Sequence, residues 1–287
     1  MILNETYTLS NGFEIPKIGL GTWFIDDDKA AQAVRDAVEI GYRHIDTAEA
    51  YGNERGVGEG VRTCGLKREE IFVTTKLAAE MKTYDNAVKA IDESLSKMDI
   101  GYIDLMLIHC PQPWANYRQD KRSYDEGKLE AWRALEDAVK AGKLRSIGVA
   151  NFEQPDIDSL LAGCTICPVV NQLLVHISNT PHDLIAYSEE KGMKVQAYSP
   201  IAHGQILKNP ELVAVAERYG VTVPQLCIRY TIQLGLISLP KTGNVNHMKS
   251  NAEVDFIISD EDMEELKTVE RIKDYGEFSC FPVFSGK

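Results

Sequence analysis

The chain is predicted to fold as a single α/β domain, a (β/α)8 TIM barrel with an N-terminal β-hairpin and a C-terminal tail near the barrel mouth. Three observations carry that expectation. The length, 287 residues, suits the roughly 250 residues that such a barrel uses as one domain. Short apolar runs alternate with longer segments of helical period, and no linker, low-complexity tract or internal repeat interrupts them. Residues 1–287 therefore read as one domain.

The N-terminal stretch YTLSNGFEIPKIGLGTW reads as the hairpin. The apolar runs near residues 18–22, 43–46, 71–76, 103–109, 145–149, 168–172, 194–198 and 236–239 then read as eight buried strands. Between them, stretches such as DKAAQAVRDAVEI and YDNAVKAIDESLSKM repeat apolar residues every three or four positions, the period of a helix with one buried face. Such alternation calls for parallel strands joined by crossover helices, and eight strands close into a barrel more naturally than they spread into an open sheet.

The rival architecture is a doubly wound nucleotide-binding sheet, which needs a Gly-x-Gly-x-x-Gly turn between its first strand and helix. Gly19-Leu-Gly21 has Phe24 where the third glycine belongs, and Gly56-Val-Gly58 leads to Val61 inside a helix-like stretch. The fingerprint is missing.

Composition narrows the function classes. A formal charge of -12 argues against a nucleic-acid partner, whose backbone is bound through clustered Lys and Arg. No apolar stretch reaches the roughly 18 residues of a membrane span, and Met1 to Gly12 does not read as a signal, so a cytoplasmic protein without a membrane partner is expected. The six cysteines are expected as free thiols. Cys164 and Cys167 have Cys-x-x-Cys spacing, but they stand before a strand without a second Cys or His pair, so no metal is expected. The match of Leu239 to Gly243 (LPKTG) to a cell-wall sorting signal lacks the apolar span that should follow it.

In barrels of this type the active site lies at the C-terminal ends of the strands. Here those ends are rich in polar residues: RHID closes on Asp46, IFVTTK on Lys76, DLMLIH on His109, VVNQ on Gln172, VQAYS on Tyr198 and Ser199, and ISLPK on Lys241. Burying so many polar groups costs several kcal/mol unless they satisfy one another, so they are expected to converge on one polar site. A lysine closing a barrel strand also suits a Schiff-base aldolase, which borohydride trapping on Lys76 would reveal.

The segment GYRHIDTAEAYGNERGVGEG, followed by DIGYIDLMLIHCP and LPKTGNVNHMKSNAEVDF, resembles three signature motifs of the aldo-keto reductase family, in order and at that family's spacing. The resemblance runs from about Phe13 to Phe256. It implies NADPH-dependent reduction of a small-molecule carbonyl, with NADH as a possible second cofactor and a monomer or weak oligomer as the assembly. It makes Tyr51 the proton donor, with Asp46, Lys76 and His109 completing the catalytic set. Gly21, Thr22, Asp46, Asn151, Gln172, Tyr198, Ser199, Ile201, Lys241, Thr242, His247 and Asn251 are implied as the cofactor site. Trp23, Tyr51, His109, Cys110 and Trp114 are implied around the substrate, with Phe278, Phe281 and Phe284 lining or covering the pocket. A neighbouring ammonium is expected to lower the pKa of the Tyr51 phenol.

The resemblance also implies two other family roles: non-catalytic partners of ion channels, and steroid double-bond reductases that carry Glu where this chain keeps His109. Four positions depart from the family pattern. His247 replaces the usual Arg of the adenosine motif and cannot form a bidentate phosphate pair. Ala150 replaces a Ser, Leu174 an acidic residue, and Cys110 a frequent aromatic.

Overall fold

The computed structural model describes residues 1–119 and 122–285. It opens with an antiparallel hairpin, β1 (Thr6–Thr8) and β2 (Glu14–Pro16). Eight parallel strands follow: β3 (Leu20–Gly21), β4 (His44–Asp46), β5 (Phe72–Leu77), β6 (Ile103–Ile108), β7 (Leu144–Ala150), β8 (Val170–Leu174), β9 (Lys194–Tyr198) and β10 (Ile237–Leu239). Each pairs with the next in chain order, and bridges from Ile18 to Ser238 and from Gly21 to Lys241 bring the last strand round to the first. This is the (β/α)8 barrel, with each strand on its predicted apolar run.

Helices α1 (Asp27–Ile40), α2 (Glu54–Thr63), α3 (Tyr84–Met98), α4 (Asp125–Lys140), α5 (Gln154–Leu161) and α6 (His182–Glu190) each cross between successive strands. Two helices, α7 (Pro210–Arg218) and α8 (Val223–Gln233), fill the next crossover, and α9 (Val245–Ala252) and α10 (Asp260–Lys267) follow the last strand. The face that α1 buries, Ala30, Val34, Ala37 and Val38, follows the helical period read from the sequence. The glycines of GVGEG serve packing rather than phosphate binding. A Cβ at Gly56 would stand 2.1 Å from the Asp27 carbonyl oxygen, and one at Gly58 equally close to that of Met98, so α2 can approach α1 and α3 only with glycine there.

The hairpin closes the bottom of the barrel, with Leu9 and Ile15 buried in one cluster with Phe72, Leu105, Leu107, Val170, Ile237 and Leu239. Toward the other end the interior turns polar, through His44 bonded to Thr74 at 3.0 Å, then Gln196 and Gln172, then Asp46 and Lys76. Among the described residues no helix is long and apolar enough to cross a membrane.

Candidate active site

Asp46 ends β4, and register pairs it with Thr74 of β5. Lys76, two residues further on, shares the face of Thr74, because strand side chains repeat with period two. Its ammonium donates to Asp46 Oδ1 at 2.6 Å, to the Thr47 carbonyl at 2.7 Å and to the Tyr51 hydroxyl at 3.3 Å. Lys76 and Asp46 are 1% and 4% exposed, so this ion pair sits in the protein interior. Tyr51 closes the single turn Glu49–Tyr51 after β4, a turn tied to β5 by the Glu49 carboxylate, which accepts from the Ala78 N–H at 3.1 Å. His109 directly follows β6 and extends the ladder through its N–H to the Leu77 carbonyl. Its ring meets the Tyr51 ring edge-on, with centroids 5.9 Å apart.

These contacts set the charges. Burial works against a charged Lys76, but Asp46 and Tyr51 outweigh it, so its pKa rises and the ammonium is kept. At Tyr51 burial raises the phenol, Lys76 pulls it down and Asp46 pushes it up, with a net rise. This corrects the expectation of a lowered phenol pKa: in this structure desolvation is larger than the pull of the ammonium. Burial, reinforced by Lys76 and Lys82, holds His109 well below its ordinary value, so the imidazole is neutral.

A layer of amides supports the ion pair. Gln172 Nε2 donates to Asp46 Oδ2 and to Gln196 Oε1, both at 2.8 Å. The Asn151 amide donates to the His109 carbonyl at 3.0 Å, and its oxygen accepts from the Tyr198 hydroxyl at 2.8 Å. Asn151 and Ser199, at strand ends, hold left-handed backbone (φ 60° and 51°), a strain that only surrounding structure sustains. The Asn151 side chain, expected to hold a carboxamide, is thus engaged with the protein, while Gln172 commits its N–H groups and keeps its carbonyl oxygen for a ligand.

Two cavities meet at Tyr51. The longer, about 1010 Å³, runs from Gly21, Thr22, Trp23 and Asp46 past Tyr198, Ser199 and Ile201 to Lys241, Thr242, His247 and Asn251. Of the residues expected around a cofactor, only Asn151 and Gln172 lie outside it, and they line the smaller cavity instead. At its far end the N–H groups of Asn246 and His247 are capped by the Asn244 side chain. Those two N–H groups are therefore already satisfied within the protein.

The smaller cavity, about 290 Å³, is bounded by Trp23, Ala50, Tyr51, His109, Trp114 and the tail from Phe281 to Phe284. Cys110 does not line it. Its side chain turns away into a cluster with Ala79 and Tyr117, where burial pushes the thiol up to about 12. Phe278 and Phe281 border the longer cavity and Phe281 and Phe284 the smaller one, as expected of the tail. His203 escaped the sequence reading: it lines the longer cavity, stacks on Phe278 with centroids 4.0 Å apart and lies 3.1 Å from the Ser199 hydroxyl. Its place four residues after Ser199, in the loop closing a strand, was the available signal.

The family model described as the aldo/keto reductase family matches residues 17–271. The glyoxal reductase of Bacillus subtilis is 36% identical over 271 residues, 94% of each chain. Among solved structures, an aldo/keto reductase from Brucella melitensis superposes with a TM-score of 0.85 at 35% identity, over 93% of this chain and 99% of that one. An aldo-keto reductase of Bombyx mori, solved in complex with NADP, superposes with a TM-score of 0.84 at 35% identity over 98% of each chain.

Proposed function

The chain belongs to the aldo/keto reductase family and is an NAD(P)H-dependent oxidoreductase, and on that premise we propose that it reduces aldehydes and ketones with NADPH, Tyr51 giving the proton to the carbonyl oxygen. The observation that carries the reading is one ammonium, Lys76 Nζ, within hydrogen-bond distance of both a buried carboxylate and a phenol that faces both cavities.

The longer cavity has the donor set that NADPH needs. Tyr198 offers a ring face for a nicotinamide and Ser199 a hydroxyl for the diphosphate, while Gln172, on the wall of the adjoining smaller cavity, offers a carbonyl oxygen as acceptor for the nicotinamide amide. Lys241, Thr242, His247 and Asn251 offer a cation and polar groups for the adenosine end. The Bombyx mori relative, solved with NADP, supports that assignment. When bound, the nicotinamide supplies the hydride.

The remaining chemistry belongs to the chain. As a carbonyl oxygen turns into an alkoxide, hydrogen-bond donors aimed at it stabilise the transition state more than the ground state. Tyr51 and a neutral His109 N–H are those donors. Burial keeps the phenol protonated until it is needed, and a phenol is still far more acidic than the alcohol it helps form. Once the proton has left, the Lys76 ammonium faces the phenolate, with Asp46 holding that ammonium charged and in place. Tyr51→Phe should lower turnover of 4-nitrobenzaldehyde by at least about a hundredfold, the scale of a lost general acid, and leave NADPH affinity by fluorescence quenching nearly unchanged. Retained turnover would remove Tyr51 from the mechanism.

A further inference from the structure

The small cavity that holds Tyr51 and His109 shares Asn151, Tyr198 and Val283 with a further cleft of about 450 Å³. This cleft lies between the segments that follow β6, β7 and β8 and the chain after α10. The two differ in chemistry. Around the reactive groups the walls are Trp114, Phe281, Pro282 and Phe284, whereas the cleft is faced by Arg118, Lys267 and Arg271 against a single carboxylate, Glu153. His182 stands on the same wall.

That local excess of cations occurs in a chain with a net charge of -12. Internal pairing accounts for part of it: Arg118 bonds Glu153, and Lys267 bonds Glu264 at 2.5 Å. Arg271 enters no ion pair among the described residues. Leu174, which also borders the cleft, is apolar and adds no negative charge to its wall.

We propose that this cleft receives an oxyanion, a carboxylate or phosphate group, carried by the carbonyl substrate at the end remote from the reacting carbon, with Arg271 and Arg118 as its contacts. Guanidinium forks match planar oxyanions, and inside a cleft their charge is screened less than on open surface. The cleft is a substrate site rather than part of the cofactor site, because it has only Tyr198 in common with the long cavity and none of Lys241, Thr242 or His247. This inference rests on carbonyl reduction at Tyr51, and it narrows the substrate to an apolar-bodied carbonyl with an anionic tail.

The test compares 6-oxohexanoate with hexanal, two aldehydes of equal chain length that differ in the terminal carboxylate. Turnover is followed by NADPH absorbance, and binding to the enzyme–NADPH complex by protein fluorescence. The carboxylated aldehyde should have a kcat/KM about tenfold to a hundredfold above that of hexanal, the range of a charge-assisted hydrogen bond, expressed mainly in KM. Arg271→Gln combined with Arg118→Gln should remove that advantage. Leu174→Glu should reduce it while sparing hexanal, a readout that loss of the fold would not produce. Equal kcat/KM for the two aldehydes in the unmodified protein, or equal losses for both in the variants, would overturn the proposal. Failure to reduce either aldehyde would strike the carbonyl-reductase reading. The binding isotherms then decide the cleft on their own, since 6-oxohexanoate must still bind at least about tenfold tighter than hexanal and lose that margin with both arginines replaced.

Discussion

Asp46, at the C-terminal end of β4, and Asp104, near the N-terminal end of β6, are both almost fully buried and both ion-paired, at opposite ends of one barrel. Asp104 accepts from Arg68 at 2.5 Å, from the Val73 N–H at 2.9 Å and from Arg145 at 3.4 Å. The two guanidiniums lie over the Tyr102 ring, 4.1 and 3.7 Å from its centroid. Asp46 instead accepts from an ammonium and an amide, and that ammonium is shared with a phenol facing two cavities. A guanidinium does not give up a proton in a protein, so the cations of the lower cluster are fixed. In the upper one the cation is shared with a phenol on a cavity wall. A buried ion pair is therefore poor evidence of function by itself, and a cation shared with a titratable group on a cavity wall is better evidence.

Breaking each cluster should separate the two roles. Lys76→Met should lower turnover at least as much as Tyr51→Phe. It should also destabilise the fold by about 3–5 kcal/mol, because Asp46 is left charged and unpaired in the interior. Arg68→Ala should cost less, about 2–3 kcal/mol by chemical denaturation, since Arg145 still faces Asp104, and should leave kcat within about twofold. A loss of turnover above about tenfold in a folded Arg68→Ala protein would show that the lower cluster also serves the reaction.

Barrel, strand order and the convergence of Asp46, Lys76 and His109 at one end of the barrel were legible because each rests on local pattern: apolar runs with polar residues closing them, as in DLMLIH and IFVTTK. What the chain order hides is the direction a side chain takes once it leaves a strand. Cys110 follows His109, but successive residues point to opposite sides, so one faces the cavity and the other packs behind it. Asn151 and Gln172 line the smaller cavity, but their bonds to Tyr198, Asp46 and Gln196 depend on pairs as far as 126 residues apart in sequence. The sign of the Tyr51 shift was illegible for another reason. It is a balance of desolvation against one ammonium, and only the depth of burial decides it.

A third charge test lies between the two ends, at His44. Burial, with Lys76 adding to it, lowers this imidazole to about 3, against about 6.5 in an unfolded chain. The unfolded state therefore binds the extra proton first. The neutral folded ring contributes its full stability above pH 6.5, and this is lost progressively as pH falls from 6.5 toward 3. At pH 5 the loss from this residue alone should be about 2 kcal/mol. His176, also lowered to about 3 by burial, should add to the decline. A fall in Tm between pH 7 and pH 5 that His44→Gln does not reduce would remove His44 as a source.

The smallest effect is expected at the far end of the long cavity, where a cation is left without an internal partner. Lys241 borders that cavity and enters no ion pair among the described residues, unlike Lys76 and Arg68, whose charges are spent inside the protein. A charge in this state is available to a ligand, and in NADPH the group absent from NADH is the 2′-phosphate. Lys241→Ala should therefore weaken NADPH binding by about tenfold, about 1.4 kcal/mol, and leave NADH binding nearly unchanged. His247 lines the same stretch but has no guanidinium fork, so His247→Arg should tighten NADPH alone by offering a bidentate contact. Titrating both cofactors against the three proteins by fluorescence quenching decides the matter. If Lys241→Ala weakened NADH and NADPH equally, the lysine would hold the shared part of the two cofactors, and the distinction between spent and available cations would not extend to this end of the barrel.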